Sequence, residues 1–157
     1  DITRTRSCMM TVVATRRSIS HALVRVMSTA SKKPGIASAE VLQSLHHATI
    51  LDVRDPDEVT KGKGGPPSKL PGSFNVPLNH DGVSQHERPT TAVEFLAKIE
   101  AAGLVLPEDT GAAIITHCGS GGRGGRAESL LRELGFDNVH NGGGPSHISE
   151  ALGISDP

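Results

Sequence analysis

Tryptophan and tyrosine are absent from the 157 residues, and Phe74, Phe95 and Phe136 are the only phenylalanines. A core made from this chain is therefore aliphatic, and the aromatic stacking platforms of single-strand nucleic-acid binders are excluded. Cysteine is also scarce. Cys8 and Cys118 stand in dissimilar surroundings, which argues against a disulfide framework or a Cys-x-x-Cys metal site and for a reducing compartment. The formal net charge is only -1 at pH 7, so the basic excess of a general nucleic-acid or membrane surface is missing, and neither is expected as a partner. Between Met10 and Met27 no unbroken apolar run reaches membrane-spanning length, and the arginines there would be costly in hydrocarbon.

One absence is local. From Ile2 to Lys33 there is no acidic residue, while Arg4, Arg6, Arg16, Arg17, Arg25, Lys32 and Lys33 are interspersed with Ser, Thr, Ala and Val. Such a segment has the composition of an organelle transit peptide, the other reading being a plain basic tail. The expected organisation is a tail over 1–33 and a single domain over 34–157. The expected location is a mitochondrial or other organelle matrix, with the cytoplasm as the alternative.

Past the tail, strand and helix signals alternate. Ser38 caps a short helix in which Val41, Leu42 and Leu45 are expected to face inward. Thr49–Val53 reads as a buried strand, and Asp55-Pro56-Asp57-Glu58 as a helix start with proline at the first position. Lys61–Lys69, rich in Gly and Pro, reads as an exposed loop. Leu70–Leu78 forms a turn and a brief strand that Pro77 ends, and polar loop follows to Pro89. Thr91 and Glu94 have capping-box spacing before a helix with Ala92, Phe95, Leu96 and Ile99 on one face, ending at Gly103. Ala112–Thr116 is the central strand; Ala127, Leu130, Leu131 and Leu134 mark a helix that stops at Gly135. Asp137–His140 is the last strand, before a weak terminal helix. The pattern predicts a three-layer α/β fold with a mainly parallel central sheet flanked by helices and a ligand site at the carboxyl ends of the strands.

Between the central strand and its helix lies His117-Cys118-Gly119-Ser120-Gly121-Gly122-Arg123. A cysteine on a strand-to-helix turn meets the first free N–H groups of a helix, whose partial positive charge favours the thiolate. Gly119, Gly121 and Gly122 let the backbone curl into an anion-binding nest around it. Arg123 is placed to hold an anion or rim the pocket, whereas Arg126, taken as the start of the helix, reads as a solvated charge. His117 reads as a strand-end residue under the loop, since a cysteine activated by the backbone needs no imidazole. The remaining histidines lack ligand spacing, so no metal and no cofactor are expected.

Three ordered blocks, Ile50–Glu58, Leu70–Leu78 and His117–Arg123 with its helix, resemble the rhodanese-like sulfurtransferases, and Gly142-Gly143-Gly144 fits the glycine pair that follows their last strand. The resemblance runs from about Ser38 to Gly144. It implies a single rhodanese domain in which Cys118 is the sulfur-carrying nucleophile of a six-residue loop, Cys118 to Arg123. It further implies that Asp52 braces that loop and that Arg54 pairs with Glu58. The expected partners are a small-molecule sulfur donor and acceptor, or a protein thiol as acceptor, with the chain a monomer or weak homodimer. Two departures stand out: the His or Arg usual near Leu70 is replaced by an apolar residue, and the tryptophan usual after the glycine pair is missing.

Two other functions share these signals. Cysteine-dependent phosphatases resemble the strand, cysteine cradle and helix but place five residues between cysteine and arginine, because phosphate is larger than one sulfur atom; here there are four. A non-catalytic binding module on the same fold is the second, and an intact Cys118 counts against it.

Overall fold

The computed structural model describes residues 35–155. The basic tail over 1–33, the transit-peptide reading and Cys8 lie outside the described residues.

In chain order the elements are α1 (Ala39–Ser44), β1 (Thr49–Asp52), α2 (Pro56–Thr60), β2 (Phe74–Asn75), α3 (Ala92–Ala101), β3 (Ile114–His117), α4 (Gly122–Glu133), β4 (Val139–Asn141) and α5 (Pro145–Leu152). The strands form one sheet in the order β2-β1-β3-β4, and every pairing is parallel. The two central strands are covered on both faces, which is why β1 and β3 read as nearly continuous apolar runs. On one face Leu51, Val53, Ile114 and Val139 pack with Phe95 and Ile99 of α3 and Ala127, Leu130 and Leu131 of α4. On the other, Ile50 and Ile115 pack with Leu42 of α1, Leu70, and Ile148 and Ala151 of α5. Alternate residues of each strand thus feed two aliphatic clusters, giving helix, sheet and helix layers.

Local chemistry sets the boundaries. The Ser38 side chain accepts from Val41 N–H at the start of α1, and Thr91 and Glu94 cap α3 reciprocally. Pro77 has no N–H to give, but Val76 and Leu78 on either side donate to Asp52 O and Val53 O, so the edge pairing continues past β2.

Three expectations are corrected. Val41 is exposed rather than inward-facing: adjacent helical residues lie about 100° apart, and in this six-residue helix Leu42 takes the core direction. The helix after the cysteine begins at Gly122, not Arg126, because Gly121 takes a left-handed φ of 99° and serves as its N-cap. Segment 61–69 is not simply an exposed loop. Pro67 is buried, Ser146 Oγ donates to Gly64 O and Pro66 O, and a Cβ on Gly64 would lie 2.9 Å from Gly119 Cα and from Pro145 Cδ. The segment is clamped between the cysteine loop and the start of α5.

Candidate functional site

In the order β2-β1-β3-β4 the chain leaves β1 for the edge strand β2 and leaves β3 for the opposite edge strand β4, so the connections from their carboxyl ends diverge at a topological switch point. Asp52 and His117 stand opposite each other there in register, and Val53 N–H donates to His117 O at 2.9 Å. Cys118 follows at once, only 2% exposed, on the α3/α4 side of the sheet.

Cys118 N–H donates to Gly143 O at 3.1 Å, and the sulfur accepts from Gly121 N–H at 3.0 Å. The glycines of the loop divide the work. Gly121 supplies the left-handed turn that brings its N–H back to Sγ. Gly119 leaves room for the Lys63 side chain, whose Cγ would be 3.3 Å from a Cβ at that position. Gly122 opens α4, and a Cβ there would meet nothing within 4 Å. Ser120 is exposed. Ile36 packs on both Gly121 and Gly143, sealing the loop from the side of α1.

Asn141, at the end of β4, ties these turns together. Its Nδ2 donates to Gly121 O at 2.9 Å, and its Oδ1 accepts from Gly143 N–H at 3.0 Å. It fits only because residue 124 is glycine: a Cβ there would lie 2.6 Å from Asn141 Oδ1 and 3.1 Å from His117 Cα. Thr116 Oγ1 adds a bond to Gly124 O at 2.8 Å. Sequence reasoning passed over Asn141; the available signal was an asparagine directly before a glycine run, a frequent turn arrangement.

Arg123 lies in the first turn of α4, where the helix dipole disfavours a cation. Carboxylates compensate. Glu58 accepts from Arg123 Nη2 at 2.9 Å and places its other oxygen 2.6 Å from Nη1, and Asp55 Oδ2 lies 3.6 Å from Nη1. Burial opposes the charge on Arg123, but the hydrogen bond and charge of Glu58, with Cys118 and Asp55, outweigh it and raise its pKa. Lys63 Nζ also pairs with Glu58. The Arg123 bond is the chief cause that holds the Glu58 pKa down at about 2, against the cost of burial and with help from Lys63.

The expected pair of Arg54 with Glu58 does not form. Arg54 Nε and Nη2 instead grip the Asp52 carboxylate at 2.9 and 2.6 Å, with both side chains fully buried. Two further N–H groups of Arg54, on Nη1 and Nη2, reach Lys63 O at 2.6 Å and Ser68 O at 2.7 Å. Glu58 is on α2, close enough to α4 for Arg123, while Arg54 turns to the opposite face of the sheet. Asp52 thus reaches the cysteine loop through Arg54 and segment 61–69. Asn75 Nδ2 donates to Asp52 O and Arg54 O, fixing the same turn from β2.

His117 is fully buried, as expected of a residue packed under the loop. Its Nδ1 lies 3.2 Å from Cys118 O, and its Nε2, without a hydrogen-bond partner among the described residues, is 3.9 Å from Asp52 Oδ2. Burial lowers its pKa more than Asp52 raises it, so the ring is held neutral. Arg126 is not a free solvated charge: its Nη2 donates to Thr90 O at 3.1 Å and pins the segment before α3. Leu70 is fully buried against Leu42, Ile50, Ile115 and Ile148, so an apolar residue suits the position. Among the described residues no group of three or more His, Cys, Asp and Glu could hold a metal ion, and no helix is long and apolar enough to cross a membrane.

Residues 37–144 match the family model described as "Rhodanese-like domain". Comparison with curated proteins finds no match. Among solved structures the chain is similar to the human single-domain sulfurtransferase TSTD1, at 23% identity and a TM-score of 0.48 over 75% of this chain and 97% of that one. It is similar as well to the Saccharomyces cerevisiae single-domain sulfurtransferase RDL2, at 21% identity and a TM-score of 0.46 over 82% and 99%. A third is the rhodanese-like domain of the Anabaena sp. Alr3790 protein, at 19% identity and a TM-score of 0.45 over 80% and 86%.

Proposed function

As this chain belongs to the rhodanese-like domain family, we propose that it is a sulfurtransferase that moves a sulfane sulfur through a persulfide on Cys118. The observation that carries the reading is the loop itself: Gly121 N–H donates to Sγ at 3.0 Å, and four residues separate Cys118 from Arg123. A backbone donor stabilises negative charge on sulfur before and after transfer without a second titrating side chain.

In the first step the Cys118 thiolate attacks the sulfane sulfur of a donor such as thiosulfate. The new S–S bond forms as the donor's S–S bond breaks, and sulfite leaves with that electron pair, so charge balances and no redox partner is consumed. In the second step an acceptor nucleophile, cyanide or a thiolate, attacks the outer sulfur, giving thiocyanate or a new persulfide and restoring the Cys118 thiolate. Neither step needs a cofactor. The exposed Ser120 and the glycines offer little selectivity for the acceptor, which leaves a small molecule or a protein thiol as candidates.

The protein incubated with thiosulfate is expected to gain one sulfur, about 32 Da, on the peptide bearing Cys118, and Cys118→Ser to abolish the gain. Release of phosphate from an aryl phosphate without sulfur uptake would instead establish a phosphatase. Neither reaction would leave the binding module.

A further inference from the structure

We infer that Lys63, from segment 61–69, is the residue that selects an anionic sulfur donor at Cys118, and that Glu58 is its internal competitor. This deepens the sulfur-transfer reading and rests on it for the identity of the donor: an oxyanion with a terminal sulfane sulfur.

Between Cys118 and Arg123 the chain has only Gly119, Ser120, Gly121 and Gly122, so the loop brings no cation of its own up to its last residue. Arg123 is three-quarters or more covered and gripped by Glu58, with Asp55 beside it. Among the described residues, a cation whose side chain lies over the loop is Lys63. Its stem passes over Gly119, the residue next to the nucleophile, with Cγ 3.3 Å and Cδ 3.7 Å from where a Cβ would stand. A side chain on residue 119 would push it away.

The backbone of Lys63 is anchored, while its head group is held by a solvent-facing ion pair with Glu58. Lys63 O accepts from the buried Arg54 at 2.6 Å, and the next residue, Gly64, is pressed against Gly119 and Pro145. The Lys63 side chain is nevertheless 61% exposed, so Nζ can turn about a fixed Cα. At rest it shares Glu58 Oε1 with Arg123 Nη2. One carboxylate oxygen thus bridges two cations at the edge of the cysteine loop, and with Asp55 beside Arg123 the cluster is neutral at rest, so it is Lys63, turned away from Glu58, that offers an incoming oxyanion a positive charge. An anion that takes over Lys63 leaves Glu58 to Arg123 alone, so the exchange breaks an exposed ion pair of small net worth and leaves the better-covered one intact.

The test reads charge selection at Cys118 apart from sulfur transfer. In the full chain, rates of Cys118 alkylation are measured with iodoacetate, an anion, and iodoacetamide, which is neutral, and resolved from Cys8 by peptide mapping. In both reactions the sulfur displaces iodide, so the ratio of the two rates isolates the effect of charge. Lys63→Met is expected to lower the iodoacetate/iodoacetamide ratio roughly fivefold, the size of one partly screened unit charge. Glu58→Gln is expected to raise it. Lys61→Met, the same charge change at an exposed lysine paired with Asp57, should leave it alone. An unchanged ratio in Lys63→Met, or an equal fall in Lys61→Met, overturns the inference. In turnover from thiosulfate to cyanide, Lys63→Met is expected to raise the KM for thiosulfate and leave kcat unchanged. Charge selection without any sulfur uptake by the unmodified protein would sink the sulfur-transfer reading and leave the anion site standing; sulfur uptake indifferent to Lys63 would do the reverse.

Discussion

Glu58 and Arg123 are 65 positions apart, yet Glu58 Oε1 accepts from Arg123 Nη2 at 2.9 Å and Oε2 lies 2.6 Å from Nη1. Each belongs to the first turn of a helix, α2 and α4. The carboxylate suits the positive end of its own helix and also cancels a cation that the other helix would repel. Through this clasp the cysteine loop is tied to the turn that follows β1.

The clasp makes stability depend on acid. The folded pKa of Glu58, about 2, lies below its ordinary value, so the unfolded chain binds the proton more readily. Its contribution is complete above about pH 4.5 and drains away as pH falls toward 2. Glu58→Gln is expected to cost about 1–3 kcal/mol at pH 7 and much less at pH 2.5. Urea midpoints of the two proteins at both pH values check this, and a penalty independent of pH would refute it.

His117 adds a separate slope. Its folded pKa is lowered by burial, so below about pH 6.5 the unfolded chain takes up a proton that the folded ring resists, and stability falls with pH until the folded value is reached. Replacing His117 by Asn removes this dependence. The comparison is the change in urea midpoint between pH 7 and pH 5.5, which should be smaller in the variant; equal changes would exclude His117 as the source.

The buried pair of Asp52 and Arg54 should behave as a unit. Arg54→Met strands a buried carboxylate and deprives Lys63 O and Ser68 O of their donor, for an expected loss of roughly 3–5 kcal/mol. Adding Asp52→Leu to that variant is expected to recover part of the loss. A double-mutant cycle by denaturant titration measures the coupling, and strict additivity would count against it.

Glycines that look alike in the sequence should respond oppositely. Gly124→Ala forces a Cβ against Asn141 Oδ1 and the β3 backbone, for an expected cost of about 1–3 kcal/mol and loss of sulfur uptake through a displaced Gly121. Gly122→Ala meets open space and is expected to be neutral or up to about 1 kcal/mol stabilising. Thermal melts of both, with sulfur loading of the first, decide the matter.

Period and punctuation carried much of this protein in one dimension. The apolar runs at Thr49–Val53 and Ala112–Thr116, the caps at Ser38, Asp55 and Thr91, and the stops at Gly103 and Gly135 are local signals, and each marks an element boundary to within a residue or two. The cysteine on a strand-to-helix turn was legible for the same reason. What needed the folded chain was every choice between partners far apart in sequence. Arg54 has four carboxylates within four positions, Asp52, Asp55, Asp57 and Glu58, and only the tertiary structure decides that it turns to Asp52 while Glu58 crosses to Arg123. Segment 61–69 has the composition of solvent-exposed loop, and Asn141 that of an ordinary turn. Packing against Gly119, Gly124 and Pro145 gives them their roles, because close approach depends on which backbones meet in space and leaves no period along the chain.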